Sequence, residues 1–130
     1  MEERKVGSFV FQIDLSQPLY EQILDQIRSS VARGEIGLGE KIPSVRELAI
    51  SLKVNPNTVM RAYQELERDG LTEKRRGQGT FITTSKDSIA SFKSELAERY
   101  CLEFVDKMKS LGYTEKDMIH WITHAKGVNK

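Results

Sequence analysis

Apolar residues recur at helical spacing in five stretches of this chain, and in one place they give way to a β-type pattern. In "SQPLYEQILDQIRSSVARGEI", Leu19, Ile23, Ile27 and Val31 step by four and line one side of a helix. Ser16 is the expected N-cap, Pro18 falls near the first turn, where a missing N–H costs nothing, and Gly34 is placed to stop the helix. After the turn-rich connection "GLGEKIP" comes "SVRELAISLKV", a short helix with Val45, Leu48, Ala49 and Leu52 inward. Ser44 and Glu47 have the S-x-x-E spacing in which each side chain caps the other's backbone N–H. "NPNTVMRAYQELERDG" follows, with Asn55 as cap, Pro56 at the first helical position, and Val59, Ala62, Tyr63 and Leu66 as its buried face; Gly70 stops it. Two short capped helices joined by a brief turn predict a helix-turn-helix.

The period then changes. "LTEKR" and "TFITT" are rich in Thr, Phe and Ile and have glycines between them, which predicts a β-hairpin. Beyond "SKDS", a linker or cap, Ile89, Phe92, Leu96, Tyr100, Phe104, Met108 and Leu111 follow at steps of three and four, a long amphipathic helix ending at Gly112. "YTEKDMIHWITHAKGV" predicts a shorter last helix capped by Thr114. At the N-terminus "FVFQIDL" predicts only a short extended arm. The expected fold is mainly α with a small β-hairpin: a winged helix-turn-helix over residues 1–84, the hairpin being its wing, then a two-helix C-terminal tail over 85–130.

Composition narrows the chemistry. With 38% hydrophobic and 30% charged residues the chain is globular, and its net charge of +1 means that a polyanion binder would have to gather its basic residues locally. A single cysteine, Cys101, gives no intrachain disulfide framework and fits a reducing cytosol. "MEERKVGSF" lacks the apolar run of a signal peptide, and no stretch approaches a membrane span, so a cytoplasmic protein is expected.

On a helical wheel, Asn57, Arg61, Gln64 and Arg68 lie opposite the buried face of "NPNTVMRAYQELERDG". Amide and guanidinium groups match the hydrogen-bonding edges of adenine and guanine. The acidic Glu65, Glu67 and Asp69 lie toward the C-terminal half, and the N-terminal half carries none. The plain alternative is an ordinary solvated face. Arg46 sits in the first turn of the preceding helix, beside backbone N–H groups that favour a phosphate; its plain alternative is an ion pair with Glu47 or Glu40. "RRGQGTF" could cradle a nucleotide phosphate, approach a DNA backbone, or simply turn a hairpin. It falls short of G-x-G-x-x-G, and a strand rather than a helix follows it, so a basic wing carrying Arg75, Arg76 and Gly77 is the better reading.

His120 and His124 have the i, i+4 spacing of metal ligands, with Asp117 near, but they face water without a supporting shell; no metal or other cofactor is expected. No nucleophile, base and orienting group can be assembled, so no catalytic residue and no enzyme are expected either.

At this point a resemblance is visible. "KIPSVRELAISLKVNPNTVMRAYQELERDGLTEKRRGQGTFI" resembles the DNA-binding domain of the GntR family of bacterial transcription regulators, over roughly residues 16–84. The "PLYEQI" opening, "VNPNTVMRAY" and the short two-helix tail resemble its YtrA-type subfamily in particular. The resemblance implies double-stranded DNA as partner, with Arg46, Asn55, Asn57 and Thr58 meeting it and Arg76 and Gly77 at a wing tip in the minor groove. Many members carry arginine where this chain has Pro56 and Met60; the nearest here is Arg61, so the operator sequence does not carry over. The subfamily's frequent place beside ABC-transporter genes implies transporter control.

The tail must then explain its own apolar stripe. Two helices of this size cannot enclose a roomy cavity, and Met118, Trp121 and Ile122 cover only part of the stripe. Phe92, Leu96, Tyr100, Phe104, Met108 and Leu111 are therefore expected to bury against a second chain, giving a homodimer that presents two recognition helices to a palindromic operator, most simply as a repressor. Two rivals stay open: a winged helix that binds another protein, and a sensor with an unknown small-molecule effector held between the tails.

Overall fold

The computed structural model describes residues 1–125. The chain divides into two compact units, Met1–Lys93 and Ser94–Lys130.

In the first unit, three helices carry the core: α1 (Leu19–Ala32), α2 (Val45–Leu52) and α3 (Pro56–Arg68), the latter two forming the expected helix-turn-helix. Ile23, Ile27, Leu48, Val59, Ala62 and Leu66 are all fully buried, as the helical spacing requires. Local chemistry sets the ends. The Glu47 N–H donates to Ser44 Oγ at 3.0 Å, and the Ser44 N–H donates to the Glu47 carboxylate at 3.2 Å, closing the capping box. Asn55 Oδ1 accepts from the Asn57 N–H at 2.8 Å, and Pro56 opens α3 where its missing N–H is no loss. The wing is the antiparallel pair of strands Thr72–Arg75 and Gly79–Ile82, which pairs Thr72 with Ile82 and Arg75 with Gly79.

Four sequence expectations change. The N-terminal arm is a hairpin of β1 (Glu2–Val6) and β2 (Phe9–Ile13), so the wing strands become β3 (Thr72–Arg75) and β4 (Gly79–Ile82). The alternation Phe9, Phe11, Ile13 buries one face, and the two phenyl rings meet edge to face at 5.5 Å. The far edge of β2 is closed by α1: the Gln12 N–H donates to Gln26 Oε1 and Gln26 Nε2 donates to the Gln12 carbonyl, both at 2.7 Å.

Ser16 does not cap α1. Its hydroxyl donates to Asp14 Oδ1 at 2.6 Å, and the N-cap position falls on Pro18, which has no side-chain acceptor. The "GLGEKIP" connection, read as a turn, also lends a short third segment to the wing. The Ile82 N–H donates to the Glu40 carbonyl at 2.8 Å, the Ile42 N–H to Thr80 at 3.0 Å, and Lys41 bridges Phe81. Finally, α4 (Lys86–Ser110) begins before the apolar stripe, and its first part belongs to the first unit.

There, Phe92 is 5% exposed and lies under the Arg28 guanidinium, 5.3 Å from the ring centre. Arg28 grips Asp69, at the C-terminal end of α3, by two hydrogen bonds of 2.9 and 3.1 Å, with both side chains only 10% exposed. One side chain thus ties α1 to α3 and covers Phe92.

In the second unit, the rest of α4 is followed by α5 (Glu115–His124). Thr114 and Asp117 form the capping box of α5, and Met118 is buried. The expected run of this helix through "KGV" lies outside the described residues. Among the described residues, no helix is long and apolar enough to cross a membrane.

Candidate nucleic-acid interface

The inward face of α3 fixes what the outward face offers. Val59, Ala62 and Leu66 anchor it, and Tyr63 donates its hydroxyl to the Pro43 carbonyl at 2.7 Å, tying α3 to the segment that leads into α2. Burial pushes the Tyr63 phenol well above its ordinary range, so it stays a donor. Asn57, Arg61 and Gln64 are exposed on the other side, and Thr58 is half-buried. Asn55 has given its side-chain oxygen to the cap, which leaves its amide NH2 to donate outward.

Arg61 is steadied in a way the sequence did not signal. Its guanidinium lies 4.4 Å from the Tyr20 ring centre, a cation–π contact from the first turn of α1 that aims a long side chain and lowers the entropy lost on binding. Arg68, the last member of the stripe, pairs with Glu65. The cationic reach of the helix therefore centres on Arg61.

Arg46 is exposed on the first turn of α2 and has no ion-pair partner among the described residues. The two carboxylates that could have taken it are engaged. Glu47 closes the capping box, and the Ser44 N–H holds its carboxyl below the usual range. Glu40 accepts from the Ser8 hydroxyl and from the Gly37 N–H.

At the wing, Arg75 stacks on Phe81, 4.1 Å from the ring centre, and stands 3.6 Å from a Glu73 oxygen. Arg76 is exposed at the turn without an ion-pair partner among the described residues. The Gln78 N–H donates to the Arg75 carbonyl at 2.9 Å, and Gly77 has φ +75°, a conformation that a side chain disfavours. A Cβ there would meet no heavy atom within 4 Å, so the glycine serves the backbone alone.

The tail residues divide. Phe92 and Leu96, expected at a seam with a second chain, are buried within this one, at 5% and 9% exposure; Phe92 is already covered by Arg28. Tyr100 and Leu111 are exposed, and Phe104 and Met108 are half-buried. Phe104, Met108, Leu111, Tyr113, Trp121 and Ile122 line an apolar groove of about 520 Å³. His120 and His124 stack on each other at 4.3 Å, and Asp117 is held by Thr114.

A three-helix core with an exposed amide-and-guanidinium helix and a basic hairpin defines a winged helix-turn-helix protein. Residues 19–82 match the family model described as bacterial regulatory proteins, gntR family. The chain is 47% identical to an HTH-type transcriptional regulator of Bacillus subtilis, YhcF, over 85% of this chain and 92% of that one. It is 37% identical to the HTH-type transcriptional repressor YtrA of the same organism, over 87% and 89%. A GntR family transcriptional regulator from Listeria monocytogenes has the same fold, with a TM-score of 0.76 and 35% identity over 88% of this chain and all of that one (100%). The chain belongs to the gntR family of bacterial regulatory proteins.

Proposed function

We propose that the protein is a cytoplasmic, homodimeric transcriptional repressor that reads a palindromic DNA operator. The observation that carries this reading is the outward stripe Asn57, Arg61, Gln64, with no acidic residue in the N-terminal half of α3 to repel a phosphate backbone. In a helix-turn-helix this half enters the major groove. Arg61, propped by Tyr20, is suited to guanine, and Asn57 and Gln64 to adenine. Arg46 takes a backbone phosphate beside the N-terminus of α2, and the wing carries Arg75, Arg76 and Gly77 toward the adjoining groove, with Asn55 and Thr58 at the edge of α3. Names given to the relatives, regulator and repressor, support the same reading.

The tail groove supports dimerisation through Phe104, Met108 and Leu111, with the exposed Tyr100 further up the same helix, because so apolar a surface is costly to leave in water. Its volume also suits a small apolar effector, so regulation through the same groove is a second reading.

Two substitution sets test the DNA surface. Asn57→Ala and Arg61→Ala each cost about 1–3 kcal/mol at particular base pairs and relax specificity there, whereas Arg46→Ala weakens all duplexes alike. Binding titrations over a panel of single-base operator variants distinguish the two patterns. A uniform loss for Arg61→Ala moves that residue from the bases to the backbone. Gly77→Val leaves the urea transition of the core nearly unchanged but impairs DNA binding, because its strain is confined to the turn. Undiminished binding by that variant removes the wing from the interface.

A further inference from the structure

The stem of Lys41 takes an unusual course. In the register of the wing, Lys41 faces Phe81, yet a Cβ at residue 79 would lie 2.9 Å from its Cε and 3.6 Å from its Nζ. The side chain therefore leaves its own strand level and crosses Gly79, running toward the turn. Gly79 has φ +122°, so the backbone excludes other residues there, and the lysine stem occupies the space a side chain would need.

The start of that stem is fixed. Hydrogen bonds from the Ile82 N–H to the Glu40 carbonyl and from the Ile42 N–H to the Thr80 carbonyl hold residues 40–42 against β4 on either side of Lys41. Arg75 is the strand partner of Gly79, and its guanidinium lies on Phe81, the strand partner of Lys41. Paired positions share a sheet face, so Lys41 and Arg75 carry two cations on one face of the wing, with Arg76 next along the turn.

The ammonium is not consumed inside the molecule. Lys41 is exposed and has no ion-pair partner among the described residues. Of the carboxylates nearest in the chain and at the cleft it borders, Glu40 is engaged by Ser8 and Gly37, and Glu47 by Ser44; the Lys41 charge reaches Glu47 only as a lesser cause of its lowered carboxyl pKa, without an ion pair. Glu73, the strand partner of Phe81, stands 3.6 Å from Arg75 and offsets that cation, so of the two charges on this face Lys41 is the one without an ion pair among the described residues.

We infer that Lys41 is a further DNA-binding residue, an ammonium that takes a backbone phosphate of the strand passing the wing turn. The inference rests on the DNA reading above, and it adds a point charge that tracks the backbone without reading a base. Such a contact releases counterions, and each phosphate neutralised on B-DNA contributes about 0.9 to the slope of log K against log salt concentration.

The test compares the wild type, Lys41→Met and Lys41→Arg on one duplex that the wild type has enriched from a randomised pool, titrated across a salt series. Methionine keeps an apolar stem over Gly79 and removes the charge; arginine keeps the charge. The expected result is a slope shallower by about one unit for Lys41→Met, with affinity at about 0.1 M salt down roughly five- to tenfold, and a wild-type slope for Lys41→Arg. A wild-type slope for Lys41→Met overturns the inference and leaves the DNA reading standing. A wild-type chain that enriches no duplex at all overturns the DNA reading, and this inference with it.

Discussion

Phe104→Glu converts the protein to a monomer in sedimentation, and its affinity for a full operator falls by about 10²-fold or more, toward that for a half-site. The chain of causes begins in the tail groove, where Phe104 stands among Met108, Leu111, Tyr113, Trp121 and Ile122. A carboxylate placed there has no partner among those apolar side chains, and burying it unpaired costs far more than the seam can return. One winged unit makes few phosphate contacts and reads few bases. Two held at a fixed distance act as one ligand, because the second contact becomes intramolecular. The core around Leu48, Val59 and Leu66 belongs to the other unit and keeps its own folding transition. Sedimentation velocity gives the mass, and titration of full and half-site duplexes gives the two affinities. A variant that stays dimeric, or a wild type that is already monomeric at micromolar concentration and still binds a palindrome tightly, contradicts the proposed role of the groove.

The second large effect is on stability. Arg28→Met lowers the unfolding free energy of the winged unit by about 3–5 kcal/mol, read from urea transitions, because it leaves Asp69 charged and nearly buried. The bidentate pair is only 10% exposed on either side, so water cannot replace the lost partner. Arg33→Ala removes a pair of similar geometry with Glu35, but those side chains are 61% and 53% exposed, water replaces the lost partner, and the same measurement barely moves. Replacing both members, Arg28→Met with Asp69→Leu, recovers much of the loss, since two apolar groups leave no orphaned charge. Equal effects at Arg28 and Arg33 would show that burial of the first pair carries no energetic weight.

What the sequence made legible follows from how far each interaction reaches. Ser44 and Glu47, or Asn55 and Pro56, act within one turn, so their spacing announced helix starts that the structure reproduces. The buried face of α3 was equally plain from Val59, Ala62, Tyr63 and Leu66, and it placed Asn57, Arg61 and Gln64 outward without further information. The N-terminal hairpin was not legible. "FVFQI" alternates clearly, but its partner "EERKV" is mostly charged and reads as a tail until Phe9, Phe11 and Ile13 are seen packed. Ser16 failed as a cap because Asp14 competes for its hydroxyl, while Gln22 Nε2 reaches back to the Asp14 carbonyl at 2.9 Å. The link from Tyr20 to Arg61, the grip of Arg28 on Asp69 and the pairing of residues 40–42 with β4 join distant parts of the chain, and no local pattern encodes them. The same holds for Phe92: its place in the apolar stripe was visible, but not that Arg28 would cover it.

The central claim, that this surface reads DNA as a two-fold dimer, is tested most directly by selection. The wild-type protein is mixed with a pool of duplexes carrying a randomised centre, bound DNA is recovered at about 0.1 M salt, and the enriched sequences are read after several rounds. The account predicts an inverted repeat whose half-sites lie about one helical turn or a small multiple apart. An unchanged pool after the last round, or enrichment of a lone half-site with no symmetric partner, would contradict it.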